Sequence, residues 1–396
     1  MKNVIIISHS LIPSVILCGH VQLEYLKKQE IIDYKFVMAA KINTADLSWA
    51  DIIVFVRSES DIEAYASELT KGKKHLVYVL DDDLLNPPDY VSSAKYYKIP
   101  SIHNNILKIM KNCDTFLTPS PVLLKKYGSN CKNAFLIDEP SLNVVTEKKK
   151  NNKVKIGFAG SIDRAQDINE IIEDSLKEII QKYDDSIEIE FMGAKPNIVN
   201  EYYLKYIPYQ DGYKKYTEVV GELNWDIGLA PMPLSPFHEC KYFNKYVEYA
   251  SFGIVGIYTN CKPYIFGIKD KENGLLVNNN KNEWVDALSL LIDNEKLREQ
   301  ISKKCLREAN DVYSLEVLSK QFINNITYDY TDKERENIKG LWKYKVKCFF
   351  SRVVYKIKEQ KWNLPFWMIN KLWRIITGTN NKNNTLVNLT DVTKGL

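Results

Sequence analysis

The feature that most constrains this chain is a pattern that runs twice. Short, wholly apolar runs alternate with helix-spaced apolar residues, stop at a lysine-rich segment, and start again. A strand that is apolar on both faces must be covered on both faces, and helices crossing between parallel strands supply that cover. In the first third, Val4–Ile7, Ile52–Val56, Leu76–Leu80 and Thr115–Leu117 read as such strands. Between them, Val21–Leu26, Ile62–Leu69 and Ser101–Met110 carry apolar residues at helical spacing. The segment Glu147–Lys153 has no apolar periodicity and reads as a linker. After it, Val154–Ala159, Ile187–Met192, Ile227–Ala230 and Ile254–Tyr258 are expected strands. Ile168–Ile180, Tyr246–Phe252, Trp284–Ile292 and Glu295–Ala309 are the expected helices. The expected fold is α/β: two doubly wound domains, 1–146 and 154–334, joined by 147–153 and facing one another across a cleft.

Length agrees, since 396 residues exceed what one ordinary core organises and suit two. A net charge of +4 is too small to argue for nucleic acid, and none is expected as a partner. The seven cysteines are odd in number and scattered, with no Cys-x-x-Cys pair, which fits reduced thiols in a cytoplasm better than a disulfide framework or a zinc site. The apolar start is broken by Ser8-His9-Ser10 and Pro13, so it reads as a first strand and its loop, not as a secretory leader.

Parallel sheets bind ligands beyond the carboxyl ends of their strands. That rule nominates Ser8–Gly19, Asp81–Leu85, Gly160–Asp167 and the residues before Glu248. The densest signal is Phe237–Ala250, where Lys241 and Lys245 are four apart on the expected first turns of a helix and Glu248 follows. Two ammonium groups at a helix start suit a diphosphate, and a carboxylate one turn on can hold a sugar or ribose diol. A solvated Lys/Glu face is the plain alternative. Gly160-Ser161 ends a strand with Arg164 close behind, which suits close backbone approach and bidentate phosphate binding, or simply an ordinary turn.

The Lys241…Lys245…Glu248-Tyr249 pattern, running through Gly253 into a strand, resembles the bacterial GT-B glycosyltransferases related to families 1 and 4, the group 1 glycosyltransferases. Trp225–Pro231 before it, and Glu272–Val277 and Glu283-Trp284 after it, match in the same order, so the resemblance covers nearly all of the second domain. It implies two Rossmann-like domains and transfer of a sugar from a UDP- or GDP-linked donor to a glycan or lipid-linked acceptor, as in bacterial surface polysaccharide synthesis. It further implies that Glu248 meets the ribose or donor sugar, that Lys241 and Lys245 lie near the diphosphate with Tyr249 beside them, and that Gly160, Ser161 and Arg164 face the phosphates. Tyr209, Tyr213 and Tyr216 follow Pro208 in a loop region where relatives cradle the base, with plain tyrosine packing as the alternative. One departure stands out: the family's first glutamate, with seven residues between it and the second, would fall on Cys240, and Glu239 is one position off.

In the first domain, Asp81-Asp82-Asp83 follow an expected strand. They can cap a helix, act as acceptor-side or catalytic carboxylates, or form a metal-binding Asp-x-Asp. Basic residues beside the diphosphate can replace a cation, so no metal is expected. Arg57 is a candidate partner for the aspartates. His20 is the candidate base, against a histidine that merely starts a helix. A retaining enzyme, as the family 4 resemblance implies, needs no strong base.

Beyond residue 334, aromatic and apolar residues recur at helical spacing among lysines and arginines through 335–376. This extension suits an anionic membrane surface or packing on the first domain, with 377–396 an expected disordered tail. The protein would then be cytoplasmic and peripheral on the membrane's inner face. Two rivals share the donor chemistry: a protein glycosyltransferase, and a non-catalytic nucleotide-sugar-binding GT-B module.

Overall fold

The computed structural model describes residues 1–91, 93–198, 204–332, 337–342 and 344–346. The chain divides into two units, Met1–Ile338 and Lys339–Leu396, and the first holds both sheets. Apart from 337–342 and 344–346, the expected extension 335–376 and the tail 377–396 lie outside the described residues.

β1 (Lys2–Ser8), β2 (Ile32–Met38), β3 (Ile52–Val56), β4 (His75–Val79), β5 (Thr115–Thr118) and β6 (Asn133–Leu136) form one sheet in the order β2-β1-β3-β4-β5-β6, parallel throughout. The interior strands β3 and β4 are buried at every residue, as continuous apolar runs require. β7 (Val154–Gly160), β8 (Ile187–Gly193), β9 (Leu204–Ile207), β10 (Ile227–Ala230), β11 (Val255–Thr259) and β12 (Leu275–Val277) form a second parallel sheet in the order β12-β11-β10-β7-β8-β9. In the second sheet the chain steps outward from β7 through β8 to β9, then returns to β7's other side with β10. The strand order therefore reverses between β7 and β10, and in the first sheet between β1 and β3. Crevices at the carboxyl ends of such reversals are where doubly wound folds hold ligands.

The expected helix Ile168–Ile180 is two helices, Ala165–Ile171 and Glu173–Tyr183, interrupted at Ile172 (φ −126°, ψ −8°). The helix Leu315–Ile326 starts where the Ser314 side chain accepts from the Val317 N–H. Sequence reading assigned it to the second domain, yet it ties both together. Leu318 is buried in the second core, while Phe322 and Ile326 are buried in the first. A Cβ on Gly19 would lie 3.1 Å from the Phe322 ring, which shows how closely the crossing helix seats. The expected linker is likewise tied down: Lys148 Nζ donates to the Trp225 carbonyl, and Asn151 donates to Asp226 at 2.8 Å.

Candidate active site

The site begins at the β7/β10 reversal. Gly160 closes β7, and its carbonyl lies so near Gly193 that a Cβ there would sit 2.1 Å from it. Gly193 also has φ +79°, a conformation that side-chain-bearing residues avoid, so this close approach depends on glycine. Arg164, four residues past Gly160, spans the reversal. Its guanidinium donates to the Pro231 carbonyl beyond β10 at 2.7 Å and pairs with Asp167 at 3.2 Å.

The helix Asn244–Ser251 supplies the next group. Lys245 Nζ lies 2.8 Å from Glu248 Oε1 and 2.9 Å from the Tyr216 hydroxyl, and that hydroxyl donates to the same Glu248 oxygen at 2.8 Å. One turn of helix brings cation and carboxylate together, as the spacing requires. Lys241 departs from expectation. It precedes the helix in extended backbone (φ −73°, ψ 168°), so the two lysines do not share a helical face. Lys241 instead crosses the cleft to Asp82 at 2.8 Å. Both lysines still line one cavity.

The opposing wall is acidic. Arg57, held at φ +50° just past β3, reaches Asp81 at 2.8 Å, Asp82 at 3.1 Å and the Ser14 hydroxyl at 3.3 Å. No helix starts at the aspartate triplet, since the next helix is Ala94–Tyr97; a capping role is therefore not what these residues do. Asp83 turns away from the other two, accepting from Tyr127 at 2.6 Å and pairing with Lys126. Burial pushes Asp82 up, but Lys241 and then Arg57 outweigh it and hold the carboxyl below the usual carboxylate range.

Two cavities open between the walls. The larger, 430 Å³, runs along Leu11–Pro13, Tyr209, Tyr213, Tyr216 and Glu248. The smaller, 290 Å³, gathers Asp81, Asp82, Arg164, Lys241 and Lys245. Glu139, Gly160, Ser161, Asn244 and Lys245 line both. An apolar, tyrosine-walled space ending in a carboxylate can take a nucleoside, and a space with three cations can take a diphosphate.

The expected residues thus divide. Gly160, Ser161, Arg164, Lys241, Lys245 and Glu248 meet at the cleft, with Asp81 and Asp82 opposite and Tyr209 at the rim, 53% exposed. Tyr249 does not reach it. Fully buried, it donates to the Leu229 carbonyl at 2.7 Å beneath β10, where a Cβ on Gly228 would be 2.5 Å from its ring. His20 lines neither cavity; its Nδ1 is 2.7 Å from the Tyr34 hydroxyl, and burial lowers its pKa. Cys240 is buried with its sulfur 4.0 Å from Asp83, and Glu239 turns to Lys262 at 3.1 Å, so neither supplies a first donor-side glutamate.

Sequence reading missed Glu139 and Asp138, which follow β6. Asp138 accepts from the Tyr242 hydroxyl across the cleft at 2.9 Å. Glu139 is 2% exposed; its Oε1 accepts from the Cys18 thiol at 3.3 Å. Burial first, then Asp81, pushes its carboxyl up to about 8. The available signal was an acidic pair before Pro140 at the end of an unread strand.

The fold is that of GT-B proteins. The chain resembles the crystal structure of Anabaena HepE in complex with UDP-glucose, at 11% identity and a TM-score of 0.59 over 83% of this chain and 100% of that one. It resembles TarM at 13% identity and 0.52 over 77% of this chain, spanning 57% of TarM's length. A Listeria monocytogenes protein assigned as a UDP-N-acetylglucosamine 2-epimerase matches at 12% identity and 0.55, over 86% and 100% of the two chains. No family model and no curated protein matches the sequence.

Proposed function

We propose that this chain is a glycosyltransferase that moves a sugar from a UDP- or GDP-linked donor to a glycan or lipid-linked acceptor, as in bacterial surface polysaccharide synthesis. One observation carries the reading: Arg164, Lys241 and Lys245 converge on a 290 Å³ cavity that shares five lining residues with a larger, tyrosine-walled one. That pair of spaces matches a nucleoside joined to a diphosphate. HepE's complex with UDP-glucose, in the same fold, supports a UDP-linked donor.

In this reading Lys245 exchanges Glu248 for a phosphate oxygen when donor binds, and Glu248 is released to the ribose diol. Arg164 and Lys241 neutralise charge that grows on the diphosphate as the glycosidic bond breaks, a task a divalent ion performs elsewhere, so transfer proceeds without metal. The departing phosphate oxygen assists attack on its own face of the sugar, giving retention. Asp81 and Asp82 face the reacting end from the first domain.

The test is thermal stabilisation by UDP-, GDP- and other nucleotide sugars, followed by a transfer assay with glycan and lipid-linked acceptors in chelator. Stabilisation by one nucleotide family and a glycosylated product with the donor's anomeric configuration are expected. No stabilisation by any donor or free diphosphate sinks the reading. The Listeria match favours one rival, so the donor sugar recovered must also be checked for epimerisation. Epimerised donor without transfer would replace the transferase by an epimerase.

A further inference from the structure

Glu139 stands where the two cavities meet, and it is the acidic residue that lines both. Its surroundings are those of a carboxyl built to be neutral. Oε1 is occupied by the Cys18 thiol at 3.3 Å, while Oε2 is buried with no hydrogen-bond partner among the described residues. A buried carboxyl oxygen left without a partner is costly, more so if charged, and persists where a ligand completes it. Gly160 and Ser161 and the amino end of the helix Asn244–Ser251 border the same junction. Lys245, in the first turn of that helix, is a group that the proposed function assigns to a phosphate oxygen.

We propose that Glu139 binds donor as a carboxylic acid, its Oε2–H donating to an anionic phosphate oxygen of the nucleoside diphosphate lodged at the junction. This rests on the proposed function for the identity of the ligand, and goes beyond it in assigning a proton-carrying residue from the first domain. An ionised Glu139 cannot accept that neighbour, because two anions would share a water-poor site. Binding therefore takes up a proton wherever free Glu139 is ionised.

Several titratable groups face Glu139. From the first domain these are Cys18, Asp81, Asp82 and Asp138, and from the second Tyr213, Tyr242 and Lys245. Burial pushes Cys18, Tyr213 and Tyr242 up, away from the pH 7.5–9.5 window used below. The second phosphate ionisation, at about 6, lies below it.

The experiment is calorimetric titration of the full chain with UDP and with GDP at pH 7.5 and 9.5, in buffers of different ionisation enthalpy. For wild type the affinity is expected to fall by about tenfold per pH unit above the Glu139 midpoint, with proton uptake approaching one per diphosphate bound. Glu139→Gln keeps a donor but cannot titrate; it should bind within a few-fold of wild type at pH 7.5, with a flat profile and no proton uptake. Glu139→Ala should lose about tenfold to a hundredfold at pH 7.5. Equal affinity at both pH values without proton uptake in wild type overturns the proposal, and that measurement stands even if a variant fails to fold. So does a fall with pH that Glu139→Gln retains. If neither diphosphate binds wild type at any pH, the proposed function itself fails, and the inference with it.

Discussion

The two walls of the cleft carry opposite charge by different means. On the second-domain wall Lys245 has its partner three residues away on the same helix, and its side chain is 23% exposed. Arg164 likewise pairs with Asp167 at i,i+3. Such local pairs form with the helix and can exchange partners at low cost. On the first-domain wall the charges are brought together across the sheet. Asp81 and Asp82 follow β4 and share Arg57 from the end of β3, and Glu139 follows β6 with Cys18 as its contact. Those pairings exist only in the folded domain. The basic wall is thus arranged for ligand exchange, while the acidic wall is arranged to hold position.

The largest effect is expected at Lys245. Lys245→Ala removes a cation from both cavities and should lower kcat/KM for transfer by about 10²–10³-fold, the range seen when one charge-stabilising donor is lost. Glu248→Ala should raise donor KM more than it lowers kcat, since its proposed contact is to bound ribose throughout the reaction. If Lys245→Ala transfers sugar at the wild-type rate, the basic wall is a surface of local ion pairs and nothing more.

Asp82 tests the acidic wall. Asp82→Asn leaves Lys241 without its carboxylate and Arg57 with one aspartate, a loss on the order of 3 kcal/mol for a mostly buried pair. Because the folded value of Asp82 is depressed, its contribution is present above the unfolded carboxylate range and lost as pH falls through the folded one. Urea unfolding at pH 7 should separate wild type from variant, and the gap should narrow towards pH 3. A gap independent of pH would mean that packing, not charge, accounts for the loss.

Glu139 reverses that sign. Its folded value is raised to about 8 from 4.5, so its contribution is complete below the unfolded value and lost as pH rises towards 8. Ligand-free Glu139→Gln should therefore gain on wild type as pH goes from 5 to 9, by about 1–3 kcal/mol once water enters the site. A constant difference between the two proteins would show that Glu139 does not titrate in this range.

How much of this was legible follows from where each strand lies. Every strand read from sequence is interior: β1, β3, β4 and β5 in one sheet, β7, β8, β10 and β11 in the other. The four that were missed or left as a motif, β2, β6, β9 and β12, are the four edges. Interior strands must be apolar on both faces, and so announce themselves; β2 is interrupted by exposed Lys35 and Met38, and β6 has no buried residue. The missed edge β6 is also why Glu139 and Asp138 went unread, since the carboxyl-end rule works only where a strand has been recognised. Arg164, Lys245 and Glu248 were legible because their spacing is local. The path of Lys241 to Asp82 was not, because it joins residues 159 positions apart.

Tyr249 sharpens the boundary of the basic wall with the smallest effect. It follows Glu248 directly, yet helix geometry turns adjacent residues about 100° apart, so one faces the cleft and the next faces β10. There its ring fills the space left by Gly228 and its hydroxyl donates to the Leu229 carbonyl. Tyr249→Phe keeps the ring and removes only that bond, which should cost about 1 kcal/mol and lower Tm by about 1–2 °C in a chain of this size. Donor KM should stay within twofold, because the lost hydroxyl touches β10 and not the cavity. A tenfold rise in donor KM at unchanged Tm would place Tyr249 on the cleft face, and would require the helix Asn244–Ser251 to rotate when donor binds.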